Sequence, residues 1–128
     1  MAEQIDWAFS LKVAAGPSLS GTGKRSVEIY DKTTTSILAG ESAEVDILPA
    51  ASGELALVAI TADQYGADPG PITYQQDDAD TTPITLDGPV TLIGTGAAAM
   101  FPKELSTLTF TNGTAAPVVI QILIGRNA

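Results

Sequence analysis

The stretch Ser20-Gly-Thr-Gly-Lys-Arg-Ser26 sets two glycines beside two cations, the composition of a loop that holds a phosphate. That chemistry uses backbone amides and a lysine around an anion. It requires Gly, four residues, then Gly-Lys-Ser/Thr, placed between a strand and a helix. Here Ser18 stands where the first glycine belongs, and Arg25 where the magnesium-binding hydroxyl belongs. The residues that follow, "SVEIYDK", alternate like a strand and offer the anion no helix N-terminus. The stretch therefore reads as a mobile Ser/Gly loop between two strands. Lys24 and Arg25 are left to meet acid on a partner.

A second group with chemical potential is "QQDDADTT" (75–82), where Asp77, Asp78 and Asp80 supply hard oxygen ligands at loop spacing. Asp63, Asp68 and Asp87 lie on segments that could approach it, and Tyr65 and Tyr74 flank it as candidate binding aromatics. Calcium takes about six to eight oxygens around one point. The EF-hand pattern is missing, lacking both the glycine at its sixth position and the glutamate at its twelfth. A charge run alone is more simply a solvated loop. The alternative it keeps open is a carbohydrate- or calcium-binding module. A glycosidase would need two carboxylates across a sugar cleft. With one Trp, three Tyr and three Phe, aromatic platforms for a sugar are scarce. Trp7 and Phe9 share one face of a strand and are expected in the core. "NGT" (112–114) matches a glycosylation sequon but reads as a two-residue hairpin turn.

Composition narrows the chemistry further. The 128 residues contain no cysteine and no histidine. Disulfides, thiolate sites, the commonest general base and the commonest transition-metal ligand are thereby excluded. No enzyme activity, no metal and no cofactor is expected. The net charge of −9 opposes binding to nucleic acid phosphates and docking on anionic membranes. The first residues, "MAEQIDWAFSLKV", lack the basic and continuous apolar regions of a secretory signal. No segment approaches the ~18 apolar residues of a membrane helix.

These groups must be carried by strands, because period two dominates. Ile5, Trp7, Phe9, Leu11 and Val13 alternate with polar or small residues, as do Val27 and Ile29, and Ala43, Val45 and Ile47. Further strands are predicted at 55–62, 72–75, 84–87, 90–93, 105–111 and 117–125, separated by Gly, Pro, Asn and Asp turns. "GTGAAAMFPKEL" (94–105) has room for one short helical turn before Pro102. Eight or nine short antiparallel strands imply a single all-β domain, a β-sandwich or jelly roll. Residues 63–83, rich in proline and acid, read as a loop excursion from it.

Two strands break the alternation. "LALVAI" (55–60) and "VVIQILIG" (118–125) are apolar on both faces, whereas a two-layer sandwich should leave each strand one wet face. If both are central in one sheet, its outer face presents roughly 300–500 Å² of apolar surface, at or above the largest patch usual on a soluble monomer. The excursion, the N-terminal strand or another subunit must cover it. The low charge density favours the last. Leu57, Ala59, Val119 and Leu123 are the candidate subunit contacts.

With "GPVTLIGTGAAAMFPKELSTLTFTNGTAAPVVIQILIGRN" (88–127) in view, the chain resembles small β-sandwich virion proteins of tailed phages, namely head-decoration (cement) proteins and related capsid accessories. The likeness lies in style over most of the chain: short, acidic, free of Cys and His, and rich in Thr, Ala and Gly. It implies a non-enzymatic structural protein made in the host cytoplasm and built into the virion. Its partners would be further copies of itself, as a trimer, and the major capsid protein. Met1, Ala2, Glu3, Gln4, Ile5 and Asp6 are then the candidates for reaching the shell.

Overall fold

A computed structural model of the chain describes residues 3–47, 54–76, 82–101 and 106–127. It is an all-β molecule with one helical turn. The strands are β1 (Glu3–Lys12), β2 (Ser18–Val27), β3 (Ile29–Ile37), β4 (Ser42–Asp46) and β5 (Leu55–Ala62). They continue as β6 (Pro69–Gln76), β7 (Ile84–Thr85), β8 (Val90–Ile93), β9 (Thr107–Thr114) and β10 (Val118–Arg126), with α1 (Thr95–Ala98) between β8 and β9. Among the described residues β1 and β2 pair only with each other, while the other eight strands form two sheets in the orders β3-β10-β5-β8 and β4-β9-β6-β7.

The two sheets pack face to face as a β-sandwich. Alternation decides which side chains meet between them. Val118, Ile120, Ile122 and Ile124 of β10 and Val58 and Ile60 of β5 point inward from one sheet. Val45, Ile72, Tyr74, Leu108 and Phe110 answer from the other, and Leu86, Ala98 and Phe101 close the end of the same cluster. Tyr74 lies between Phe101 and Phe110, with ring centroids 6.3 and 6.1 Å away. Burying side chains of this size contributes roughly 1.5–3 kcal/mol each, and that term dominates the stability of the domain.

Where sequence and structure differ, local chemistry gives the reason. The excursion expected at 63–83 is in part an inner strand, β6, which takes in the strand expected at 72–75 and extends it back to Pro69. Its two prolines are accommodated because the ladder to β9 shifts register between Pro69 and Ile72, so no regular pairing asks Pro71 for an amide. Asn112-Gly113 is not the hairpin turn either. It lies inside β9, and the chain reverses at 115–117 instead. Gly113 passes so close to β6 that a Cβ there would sit 2.6 Å from the Pro71 carbonyl oxygen. Asn112 is fully buried, which closes its side chain to a glycan. Its Nδ2 donates to the carbonyls of Ile37 (3.1 Å) and Ala116 (2.8 Å), and its Oδ1 accepts from the Thr114 amide (2.9 Å) and hydroxyl (2.6 Å).

One amide side chain thus ties the end of β3 to the β9–β10 turn. Replacing it leaves several buried carbonyl and amide groups without their partner. Asn112→Ala is expected to lower unfolding free energy by about 2–3 kcal/mol in urea titration. Ser42→Ala, removing only an exposed 3.0 Å contact to the Thr111 hydroxyl, should stay within about 0.5 kcal/mol.

Candidate functional site

β1 and β2 form an antiparallel ribbon of ten paired positions that projects from the sandwich, about 30 Å long at the usual rise per residue. Every residue from Ala8 to Ser20 is exposed. The register gives the ribbon two unlike faces. One carries Ile5, Trp7, Phe9 and Leu11 opposite Arg25, Gly23, Gly21 and Leu19; the other carries Gln4, Asp6, Ala8, Ser10 and Lys12 opposite Ser26, Lys24, Thr22, Ser20 and Ser18. At the tip the Val13 amide donates to the Pro17 carbonyl (3.0 Å) and the Gly16 amide to the Val13 carbonyl (2.9 Å).

The "SGTGKRS" segment is therefore neither a phosphate loop nor a mobile connection; it is most of β2. Its glycines receive aromatic rings. A Cβ at Gly23 would lie 2.5 Å from Trp7 Cζ2, and one at Gly21 would lie 2.9 Å from Phe9 Cε1. The rings of Trp7 and Phe9 lie flat across these positions, stacked with centroids 6.1 Å apart and 17° between planes. An aromatic covering a cross-strand glycine restores the packing that glycine forgoes. Trp7 and Phe9 are thus not in the sandwich core, as their strand face suggests, but on the arm, with Phe9 41 % exposed. Beyond them Leu11, Val13 and Leu19 are each more than 60 % exposed.

The arm is fixed at its root. Val27 ends the same row that holds Gly23 and Gly21, yet it is buried. It sits over Gly125, where a Cβ would lie 2.8 Å from Val27 Cγ1 and 3.5 Å from Leu57 Cβ. The Glu28 amide donates to the Arg126 carbonyl at 2.9 Å. A glycine on β10 thereby makes room for the valine that orients the arm.

Those contacts lie on the outer face of the sheet β3-β10-β5-β8, where β5 and β10 are adjacent and central. Leu57, Ala59, Val119 and Leu123 all point to that face, with Leu123 paired to Ala59 and Gly125 to Leu57. Leu57 is buried beside Val27, whereas Ala59, Val119 and Leu123 are half-buried. Tyr30, Lys32, Thr34 and Ser36 of β3 and Thr91 and Ile93 of β8 complete the face, and all but Ile93 are exposed. A shallow depression of about 300 Å³ opens there among Lys32, Ala59, Thr61, Gln121, Ile122 and Leu123.

The remaining candidates fall elsewhere. Glu3, Gln4, Ile5 and Asp6 lie at the arm's root in β1, while Met1 and Ala2 are outside the described residues, as are Asp77, Asp78 and Asp80. Tyr74 is a core residue, not a binding aromatic. The Tyr65 hydroxyl accepts from the Ala62 amide (3.0 Å), and its ring packs on the core. Asp63 accepts from the Val119 amide (2.9 Å). Among the described residues no group of three or more acidic side chains converges to hold a metal ion, and no helix is long and apolar enough to cross a membrane. The chain matches no family model, no curated protein and no solved structure.

Two outcomes follow. Gly23→Val should drive the Trp7 ring off β2, red-shifting the emission of the chain's single tryptophan and exposing the amides of 4–12 to hydrogen exchange. Urea stability of the sandwich should change by less than about 0.5 kcal/mol, and a large global loss would mean that the arm and core are one unit. Burial raises the Tyr74 phenol above its ordinary pKa of 10.0. A raised pKa favours the neutral form in the fold, so this contribution is intact below about pH 10 and is lost as pH climbs through the raised value. Tyr74→Phe should move the midpoint of alkaline unfolding to higher pH.

Proposed function

We propose that the protein is a non-enzymatic structural subunit that works through contacts between copies and with a larger particle, most specifically a decoration or stabilising subunit on a tailed-phage capsid. One observation carries this reading: an ordered arm about 30 Å long displays an apolar row that the described residues leave exposed. An isolated two-stranded ribbon is marginal in water. A chain that invests 25 residues in one gains from it only when the ribbon rests on something else.

The eight sandwich strands add support. In chain order they pair β3 with β10, β4 with β9, β5 with β8 and β6 with β7, all antiparallel. This pairing, one long hairpin folded over itself, supports reading the sandwich as a jelly roll, an architecture used by viral capsid domains as well as lectins and cupins. Because a fold alone does not assign function, the weight rests on the arm. Its action would be adhesive, with many modest contacts on a particle adding through multivalency. The carbohydrate- or calcium-binding alternative loses one of its aromatics to the core.

Light scattering of the purified chain at micromolar concentration should return a multiple of the chain mass, and virion-assembly genes should flank its own. A monomer throughout that range would remove the self-association on which the reading depends.

A further inference from the structure

The strongest unexplained feature is the arm's apolar row, and the question is what lies on it. We infer that it is a second copy of this chain: the face bearing Trp7, Phe9, Leu11 and Leu19 docks on the outer face of the neighbour's β3-β10-β5-β8 sheet, around Ala59, Gln121 and Leu123. This deepens the proposed function and rests on its claim of self-association.

Three observations select that partner. Charge is the first. Residues 3–27 carry Lys12, Lys24 and Arg25 against Glu3 and Asp6, a net +1, so the rest of the chain holds −10 of the total −9. Two copies of net −9 repel at long range, and within a Debye length of about 8 Å the contact that charge opposes least is a +1 arm against a −10 body. The arm-to-body encounter is therefore the favoured one between identical chains. Lys12 and Lys24 lie on the polar face, away from the docking row, so their part is steering rather than contact.

Area is the second. Phe9, Leu11, Val13 and Leu19 together expose roughly 400 Å², a patch as large as a soluble monomer usually tolerates. Each copy gives one arm and receives one, a condition that a two-fold pair and a closed ring both satisfy. In a two-fold pair the two exchanges, with the receiving faces and flanking Ser and Thr residues, reach the range of about 1,200–2,000 Å² buried by stable interfaces.

The third is that the chain already makes a sample of this contact. Val27 belongs to the same row and sits on the same kind of surface, over Gly125 and beside Leu57. Past that point its own sheet face continues as Lys32, Ala59, Thr61, Gln121 and Leu123 around the depression of about 300 Å³. The arm cannot reach that depression in its own chain, because it leads away with every residue from Ala8 to Ser20 exposed. A neighbour's leucine or phenylalanine fits there. A protruding row and a shallow seat on one molecule are the two halves of a heterologous contact.

Because the chain contains no cysteine, cross-linking tests this without background. Leu11→Cys and Gln121→Cys are made in separate full-length chains, one tagged, co-expressed and treated with a bismaleimide. Both positions are exposed, and thermal unfolding should match wild type. The expected product is a cross-linked dimer containing one chain of each kind. Leu11→Asp with Leu19→Asp should weaken self-association at least about tenfold, equivalent to about 1.4 kcal/mol, with urea stability unchanged. Chains that link only Leu11→Cys to Leu11→Cys would overturn the inference in favour of arm–arm pairing. Wild-type oligomers without the mixed product would overturn it while leaving self-association standing. Wild-type monomers would overturn both readings, and so would monomers captured through the arm by phosphatidylcholine/phosphatidylglycerol vesicles.

Discussion

The rings of Trp7 and Phe9 occupy the space that side chains at Gly23 and Gly21 would fill, and the order of the arm depends on that exchange. A two-layer sandwich hides apolar groups between its sheets, but a two-stranded ribbon has a single layer and no inside. Its apolar face can be shielded only by laying large rings flat across small cross-strand neighbours. This covers the ribbon's lower half and stops at Phe9. From Leu11 to Leu19 no glycine opposes an aromatic, and the apolar side chains there stand in water. The boundary between the self-covered and uncovered parts of the row is therefore written into the positions of two glycines.

The same logic explains how much of the fold was legible. Strands rich in large apolar residues announce themselves: β1 and β4 by period two, β5 and β10 by runs apolar on both faces, and β8 by a short apolar run between turn residues, while the helical turn after Gly94 follows from its alanines. β2 does not, because Leu19, Gly21, Gly23, Arg25 and Val27 form a row in which the bulk belongs to the partner strand. β3 hides for a related reason. Its inward positions are Asp31, Thr33, Thr35 and Ile37, and only the last reads as core. Thr33 donates to the Asp31 carboxylate at 3.4 Å, a polar lining that an edge strand near the open rim of a sandwich tolerates. β6 is legible only in its second half, 72–75; its start is masked by prolines whose cost disappears at a register shift, a feature of pairing that one strand's sequence does not contain.

The candidate surface was legible in part. Two strands apolar on both faces point to a sheet with an occupied outer side, and β5 and β10 lie adjacent and central in one sheet. What the sequence could not supply is the division of that face. Leu57 is sealed by Val27, whereas Ala59, Val119 and Leu123 remain half-open, because the arm's root crosses the sheet at Gly125 and nowhere else. The aromatics invert between expectation and structure. Trp7 and Phe9, which look like core, are on the arm, and Tyr74, which looks like a surface group beside an acidic loop, is in the core. Side-chain type is the same in each case. What differs is whether the strand that carries the ring has a second sheet opposite it.

The attachment of the arm also follows from the nesting of strands. Because β3 and β10 form the outermost pair of the folded hairpin, the chain entering β3 emerges at a sheet edge, next to the last residues of β10. β2 and β3 follow one another across a bend at Glu28, whose amide donates to the Arg126 carbonyl. Beyond the bend the chain enters the β3–β10 ladder, which pairs Ile29 through Ile37 with Arg126 through Val118. Val27 over Gly125 adds one side-chain contact on the sheet's outer face. The arm is therefore oriented by the sandwich at its root alone, while its own ladder runs between β1 and β2, so the arm's direction and the core's stability rest on different contacts.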